Sequence, residues 1–373
     1  MEGIAGNGAK TAYVAIELSK RSWMVGALLP DRDKPSIYRL SGGDTLGLLS
    51  RLARLRQLGV DRLVLCFEAG HDGFWLARFL LCHGIDVRVF DPASLQVNRR
   101  ARRVKTDRID VLSLLNALVA VDRGDRHVCS IVRVLSAEEE DARRSHRERD
   151  RLIQERTAHI NRIKGLLFAQ GIREVEPRLR RARIDFTVLR TGEGHPLPPR
   201  LRAELEREYA RLNMVEDQLR TVEKERDLAD AQDPAVEVKR QRLEQLQGVG
   251  GAASSIMARE VFARSFASRR HLASYLGLTP SAYDSGAVTR CQGISKAGNS
   301  WARRILIEIS WLWLRYQPQT ALAQWYGRRT RGQGPRVRRV MLVALARKLA
   351  VVLWRYVETG ALPHGATLSR KAA

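Results

Sequence analysis

The order of apolar runs between residues 12 and 122 restricts the fold of this chain more than any other feature. "AYVAIELS" (12–19), "SWMVGALLP" (22–30) and residues 36–40 are short and closely spaced, so they read as three strands of an antiparallel meander. Leucines at helical spacing occupy 44–58, and "RLVLCFEAG" (62–70) is a buried strand ending in a glycine turn. A helix is expected around 73–83. "DVRVFDP" (86–92) is a further strand closed by Pro92, and helices are expected near 93–103 and 107–122. The order βββαβαβα, with its late strands joined through helices, predicts an α/β domain over 10–125, a mixed sheet covered by helices.

Four acids fall at telling points of that pattern. Asp107 and Asp110 head the segment "KTDRIDVLSLLNAL", three residues apart and so on one helix face. Thr106 or Asp107 could serve there simply as the helix cap. Glu17 closes the first strand and Glu68 the fourth. In an RNase H-like sheet those two strands are neighbours, and a helix packed across their carboxyl ends would bring Asp107 and Asp110 to the same edge. Four carboxylates in one place repel strongly unless cations neutralise them. Ligands made only of oxygen suit Mg²⁺ or Mn²⁺, and two such ions can act on the oxygens of a phosphodiester.

The remainder of the chain divides in two. Residues 136–171 and 199–231 are dense in charge and flank "GEGHPLPP", which predicts two long helices pairing as an antiparallel coiled coil within 136–232. Leu152, Ile160, Ile163 and Leu167 are the candidates for its seam. The arginines of this stretch (Arg143, Arg144, Arg147, Arg149 and Arg151) fit either a solvated spacer or a face that follows a nucleic-acid backbone. A mainly helical all-α region is expected over 243–360. It opens with a helix–glycine turn–helix, "LEQLQGVGGAASSIMAREV", and "ILIEISWLWLRY" is too interrupted by Glu308 and Arg315 to be anything but a core helix.

A net charge of +24, from 65 Lys and Arg against 41 Asp and Glu, favours a polyanionic partner such as DNA or RNA. Lys105, Lys296, Arg303, Arg304, Arg328, Arg329 and Arg331 are the candidate phosphate contacts. Cys66, Cys82, Cys129 and Cys291 form no CxxC pair, which argues against a zinc site or a disulfide framework. No apolar run long enough for a membrane span and no leader pattern is evident, so a soluble, cytoplasmic protein is expected.

Several segments together carry a resemblance: "VAIELSKRSW", "CFEAGHDGFWLARFL", "VFDPASLQVNRRARRVKTDRIDVLSLL" and "GLTPSAYDSGAVTRCQGISKAGNSWARRIL". In this order, over nearly the whole chain, they resemble the IS110/IS1111 family of insertion-sequence transposases. The resemblance implies an N-terminal RuvC-like domain with a DEDD tetrad, carried here by Glu17, Glu68, Asp107 and Asp110. It also implies a C-terminal transposase domain whose serine, in an "SG" step ahead of "GISKAG", is Ser285. The first acid of the family is usually Asp; Glu17 reaches one methylene further. The resemblance further implies a composite site built by the two domains, a homo-oligomer (dimer or tetramer) around DNA, and a structured guide RNA encoded by the element.

Two other classes fit parts of the sequence. "AIELSKRSW" also resembles the first phosphate loop of actin-like ATPases, but their second loop and adenosine segment are not evident. A Holliday-junction-resolvase-like metal nuclease would share the tetrad without needing the serine, and an inactive nucleic-acid-binding scaffold would need neither.

Overall fold

The computed structural model describes residues 10–70, 72, 74–95, 106–125, 127–177, 184–285 and 288–369, and for 283–285 and 288–291 the backbone alone. The chain forms two compact units, Met1–Glu140 and Asp141–Ala373.

In the first unit the meander is β1 (Thr11–Leu18), β2 (Ser22–Leu28) and β3 (Ser36–Ser41), followed by α1 (Thr45–Gln57), β4 (Arg62–Glu68), α2 (Trp75–Cys82), β5 (Asp86–Phe90), α3 (Asp107–Asp122), β6 (Ile131–Val132) and α4 (Ala137–Asp141). The sheet order is β3-β2-β1-β4-β5-β6. β1 pairs parallel with β4, and β4 with β5, while the meander pairs and β5/β6 are antiparallel. This is the mixed sheet expected from the pattern, with β6 added at the far edge. Of the helix expected near 93–103, a single 3-10 turn at Pro92–Ser94 is seen, and 96–105 lie outside the described residues.

Strand alternation sorts the sheet into two cores. Val14, Ile16, Val25, Leu65 and Phe67 pack against Leu48 and Leu52 of α1 and Leu76 and Leu80 of α2. On the other face Ala15, Val64, Cys66 and Phe90 pack against Val111, Leu114, Leu115 and Leu118 of α3. Near-continuous apolar strands such as "LVLCF" are what a sheet covered on both faces requires.

The second unit begins with two long helices, α5 (Arg144–Phe168) and α6 (Pro199–Ala231). Ion pairs Arg149–Glu223, His159–Glu208 and Arg162–Glu204, each at 2.7 Å, descend one helix as they climb the other, so the two run antiparallel. Leu152 packs with Val215, Leu219 and Val222, and Ile163 and Leu167 pack with Leu205 and Leu212. Next come α7 (Pro234–Glu244) and α8 (Gly251–Ile256), joined through Gly248 at φ +91°. A Cβ on Gly248 would sit 3.2 Å from the Leu312 carbonyl oxygen, so a left-handed turn and a close approach both favour glycine there.

One π-helical turn, Met257–Val261, extends α8, and α9 (Arg269–Tyr275) follows. β7 (Pro280–Ser285) and β8 (Val288–Ile294) form a two-stranded antiparallel sheet that the Ser- and Gly-rich sequence did not announce. α10 (Ser300–Tyr316), α11 (Ala321–Thr330) and α12 (Pro335–Thr359) complete the unit. Its core joins Leu243, Phe262, Leu272, Leu306, Ile309, Trp313, Leu349 and Leu353, so "ILIEISWLWLRY" is a core helix as expected. Among the described residues no helix is long and apolar enough to cross a membrane.

His146 on α5 is buried in this unit, its Nε2 3.5 Å from Ser255 Oγ and its Nδ1 without a partner. Burial, reinforced by Arg226, Arg259, Arg149 and Arg143, lowers its pKa to about 3 from the ordinary 6.5. The folded chain therefore refuses a proton that the unfolded chain accepts. Stability from this group is complete above about pH 6.5 and is lost as pH falls toward 3, by just over about 1 kcal/mol per pH unit. Urea titrations at pH 7 and pH 5 should register this loss, and His146→Gln should remove its share of the slope. An equal pH dependence in that variant would show that His146 is not the group responsible.

Candidate active site

The position of α3 on its sheet decides where the acids lie. At its C-terminal end, Asp122 accepts hydrogen bonds from Tyr13 Oη at 2.9 Å and from both terminal nitrogens of Arg62 at 2.8 and 2.9 Å. Tyr13 and Arg62 stand near the beginnings of β1 and β4. The Arg62 hydrogen bond holds the Asp122 carboxyl below its ordinary pKa, and burial with the Asp122 contact raises Tyr13. Midway along the helix the Leu114 carbonyl accepts from Cys66 Sγ at 3.6 Å, and burial pushes that thiol's pKa up. A helix fixed at those two points runs antiparallel to β1 and β4. Its first turn, with Asp107 and Asp110, therefore lies at the end of the sheet where β1 and β4 finish, toward the β2 and β3 side: Val111 stands over Gly26 of β2, and Asp107 reaches Arg39 of β3.

Those ends carry the two glutamates. The register Ile16↔Phe67 puts Glu17 and Glu68 in the next row of the parallel pair, about 5 Å apart at the backbone. Both belong to the face that also carries Ala15 and Cys66, the face covered by α3. Thr106 is the helix cap, accepting from the Ile109 N–H, so capping requires neither aspartate. Asp107 and Asp110 follow as first-turn acids, each one turn ahead of a buried residue of the sheet-facing stripe, Val111 and Leu114 respectively.

The sequence reading missed Arg39. The register Glu17↔Met24↔Arg39 places it in the same row and on the same face, and its guanidinium lies 4.0 Å from the Asp107 carboxylate. Counting residues back through the meander from Glu17 would have found it, but only with the hairpin registers known. One cation thus already offsets the repulsion at this edge. The donor set is entirely carboxylate, which fits a hard divalent cation. Among the described residues, no three His, Cys, Asp or Glu side chains are gathered as a ready metal cage. The four acids lie toward the same end and the same face of the sheet, two from strand ends and two from the first turn of α3.

In the second unit Ser285 is the last residue of β7, opposite Val288. Lys105 lies outside the described residues. Lys296 is exposed at φ +57°, in a loop whose Lys296 N–H donates to the Gly277 carbonyl. Arg303 is turned inward: its Nη1 donates to the Leu276 carbonyl at 2.9 Å, and burial lowers its pKa. Arg304 pairs with Asp150 at 2.6 Å. Arg328, Arg329 and Arg331 are exposed, as are Arg336, Arg338 and Arg339 at the start of α12. Six exposed arginines of this unit thus stand close in sequence at the end of α11 and the start of α12, and Arg303 braces the turn that ends α9.

A mixed six-stranded sheet with acids at one edge, joined in one chain to a helical unit, is the frame of a DEDD-type DNA transposase. Residues 20–169 match the DEDD transposase domain of IS110, a span that begins just past Glu17 and takes in Glu68, Asp107 and Asp110. Residues 240–326 match the transposase family IS116/IS110/IS902, a span that includes Ser285. A protein of Sinorhizobium fredii named as a transposase is 41% identical over 376 residues, 95% of this chain and 94% of that one. A family 20 transposase of Pseudomonas aeruginosa is 32% identical over 78% of this chain and 82% of its own length. The transposase for the insertion sequence element IS1111A of Coxiella burnetii is 28% identical over 72% and 69%. The chain belongs to the IS110/IS1111 family of transposases. Its DNA-transposing activity follows from that membership, and a domain of the DEDD type points to dependence on a divalent metal.

Proposed function

We propose that this transposase cuts and rejoins DNA with Glu17, Glu68, Asp107 and Asp110 as metal ligands and Ser285 as the nucleophile. The observation that supports the reading is where the acids stand: Glu17 and Glu68 close neighbouring parallel strands, and Asp107 and Asp110 head the helix that covers the same face of the sheet. Mg²⁺ or Mn²⁺ suits such ligands, and the chemistry a bound ion would supply is Lewis-acid polarisation of the scissile phosphate. In the serine step, the Ser285 Oγ forms a bond to phosphorus as one phosphorus–oxygen bond of the strand breaks. The serine proton passes to a base or solvent, and the departing oxygen leaves as a hydroxyl. Attack by a hydroxyl of the strand to be joined then reverses the exchange and frees the serine. Arg39 belongs beside the acids as the fixed counter-charge of Asp107.

We read the partners as DNA, further copies of this chain as a dimer or tetramer, and a structured RNA encoded by the element that selects the DNA to be joined. The net charge of +24 and the exposed arginines between α11 and α12 support a polyanionic partner of this kind. The test is chemical. Labelled DNA should remain attached to the wild-type chain on a denaturing gel, and Ser285→Ala should lose that adduct completely. Folding and nucleic-acid binding should be unchanged, because removal of a single hydroxyl is a small change. Ser281→Ala, Ser295→Ala and Ser300→Ala should keep the adduct. Persistence of the adduct and of recombination in Ser285→Ala would move the reading to a metal nuclease of resolvase type.

A further inference from the structure

Between Glu308 and Glu358 the chain carries ten Lys and Arg and no Asp or Glu. Six of these cations, Arg328, Arg329, Arg331, Arg336, Arg338 and Arg339, are exposed along the end of α11, the turn 331–334 and the start of α12. Like charges this close repel one another, and the hairpin supplies no carboxylate of its own to offset them. Such a surface calls for an external polyanion.

The start of α12 also leaves the body of its unit. The helix begins at Pro335, yet every residue from Arg331 to Val340 is exposed and the first buried one is Leu342. Carried back one turn from Leu342, the stripe that packs the core falls on Arg338 and Arg339, and both are exposed. At 1.5 Å per residue, about 10 Å of helix overhangs the core. Two features fix the overhang. Gly332, at φ +71°, turns the chain between the helices, and Tyr326 Oη donates to the Arg338 carbonyl at 3.3 Å. Successive residues of a helix turn by about 100°, so Arg336 and Arg338 leave it on nearly opposite sides, with Arg339 between them.

We infer that the overhanging turns of α12 enter the major groove of duplex DNA, with Arg336 and Arg338 on its two phosphate walls and Arg339 as a third phosphate contact. A single strand has one backbone and would meet one flank of the helix only. An α-helix with its side chains is about 10–12 Å across, which the major groove of B-DNA at about 12 Å admits and the minor groove at about 6 Å does not. The deep, narrow major groove of an RNA duplex shuts side chains out. A short glycine-bearing turn ahead of an exposed helix start is the arrangement by which helix-turn-helix units lay a second helix in the groove while the first crosses the backbone. Arg328 and Arg329 at the end of α11 suit that crossing. This inference rests on the reading of the chain as a DNA transposase, and it adds the element that holds duplex DNA and the groove it uses.

The experiment follows the full chain by fluorescence anisotropy through a salt titration with four labelled probes. They are a mixed-sequence DNA duplex, the same duplex with glucosylated 5-hydroxymethylcytosine in place of cytosine, one of its single strands, and the matching RNA duplex. The glucose fills the major groove and leaves the minor groove and the phosphates as they were. On the plain duplex, the triple variant Arg336→Ala/Arg338→Ala/Arg339→Ala should lower the salt slope by about 2.7, three phosphates at about 0.9 each. The wild type should bind the glucosylated duplex less tightly than the plain one, and the variant should bind both alike. The single strand and the RNA duplex should not tell variant from wild type. All three positions are exposed and alanine is the best helix former, so the variant should melt with the wild type.

An unchanged slope in the folded variant would overturn the groove contact. So would an equal loss of slope on all the probes, which would mark a diffuse effect of charge. Should the variant fail to fold by circular dichroism, the wild type decides: equal affinity for the plain and the glucosylated duplex overturns the contact. Each of these results leaves the transposase reading standing. A wild-type chain that binds none of the probes would overturn the nucleic-acid reading, and the groove contact with it.

Discussion

Glu68→Gln and Asp107→Asn should each lower strand cleavage by about 10²- to 10³-fold, while the first unit keeps its fold. Each change preserves shape and removes one negative charge from the proposed metal-binding acids. The loss of one anionic ligand weakens the hold on a divalent cation, and electrostatic groups of this kind are commonly worth two to three orders of magnitude each, roughly the range seen for oxyanion donors. Stability should not fall in step. Glu17 and Glu68 are neighbours in adjacent strands, and like charges side by side are destabilising, so Glu68→Gln should leave the melting temperature unchanged or slightly raised, whereas Asp107→Asn, which loses the Arg39 pair and a first-turn charge, should melt at or slightly below the wild type. Cleavage of a supercoiled plasmid in Mg²⁺, with thermal melting of the same samples, separates the two effects. A Glu68→Gln chain that melts normally and cuts at the wild-type rate would remove Glu68 from the catalytic set.

The physics behind the placement of these acids was only partly legible in the sequence. Strand alternation and the βββαβαβα order were readable, because a sheet covered on both faces needs apolar strands of this length and helices to cover them. The acids at the strand ends and on the helix stripe were readable for the same reason, since periodicity says which face a residue takes. Register was not readable. That Arg39 stands in the row of Glu17 depends on both hairpin connections of the meander, and one residue of slip would put it on the opposite face. The strands β7 and β8 were hidden by serine and glycine, whose pairing is dictated by the surrounding unit and not by local preference.

Gly26→Val should unfold the first unit or strip α3 from its sheet. Gly26 lies on β2, paired with Ala15 on one side and Ile37 on the other, and faces α3. A Cβ there would stand 2.4 Å from Val111 Cγ1 and 2.9 Å from Leu115 Cδ1, inside contact distance of two buried side chains of that helix. Neither can retreat, since both are packed on the sheet, so the helix itself must lift. Overpacking of a core by a few methyl groups costs about 1–3 kcal/mol, and a branched side chain at this distance should cost about 3 kcal/mol or more, a large part of the stability of an ordinary domain. Cleavage would fall as well, because the helix that moves carries Asp107 and Asp110. A pair of milder changes isolates the contact. Gly26→Ala and Val111→Ala should each destabilise, by overpacking and by a cavity respectively, while the double variant should lose clearly less than the two losses added, because the new methyl enters the space the valine vacates. Strict additivity in urea titrations would mean that residues 26 and 111 do not touch. The placement of α3 across β1 and β2, on which the proposed metal site depends, would then have to be redrawn.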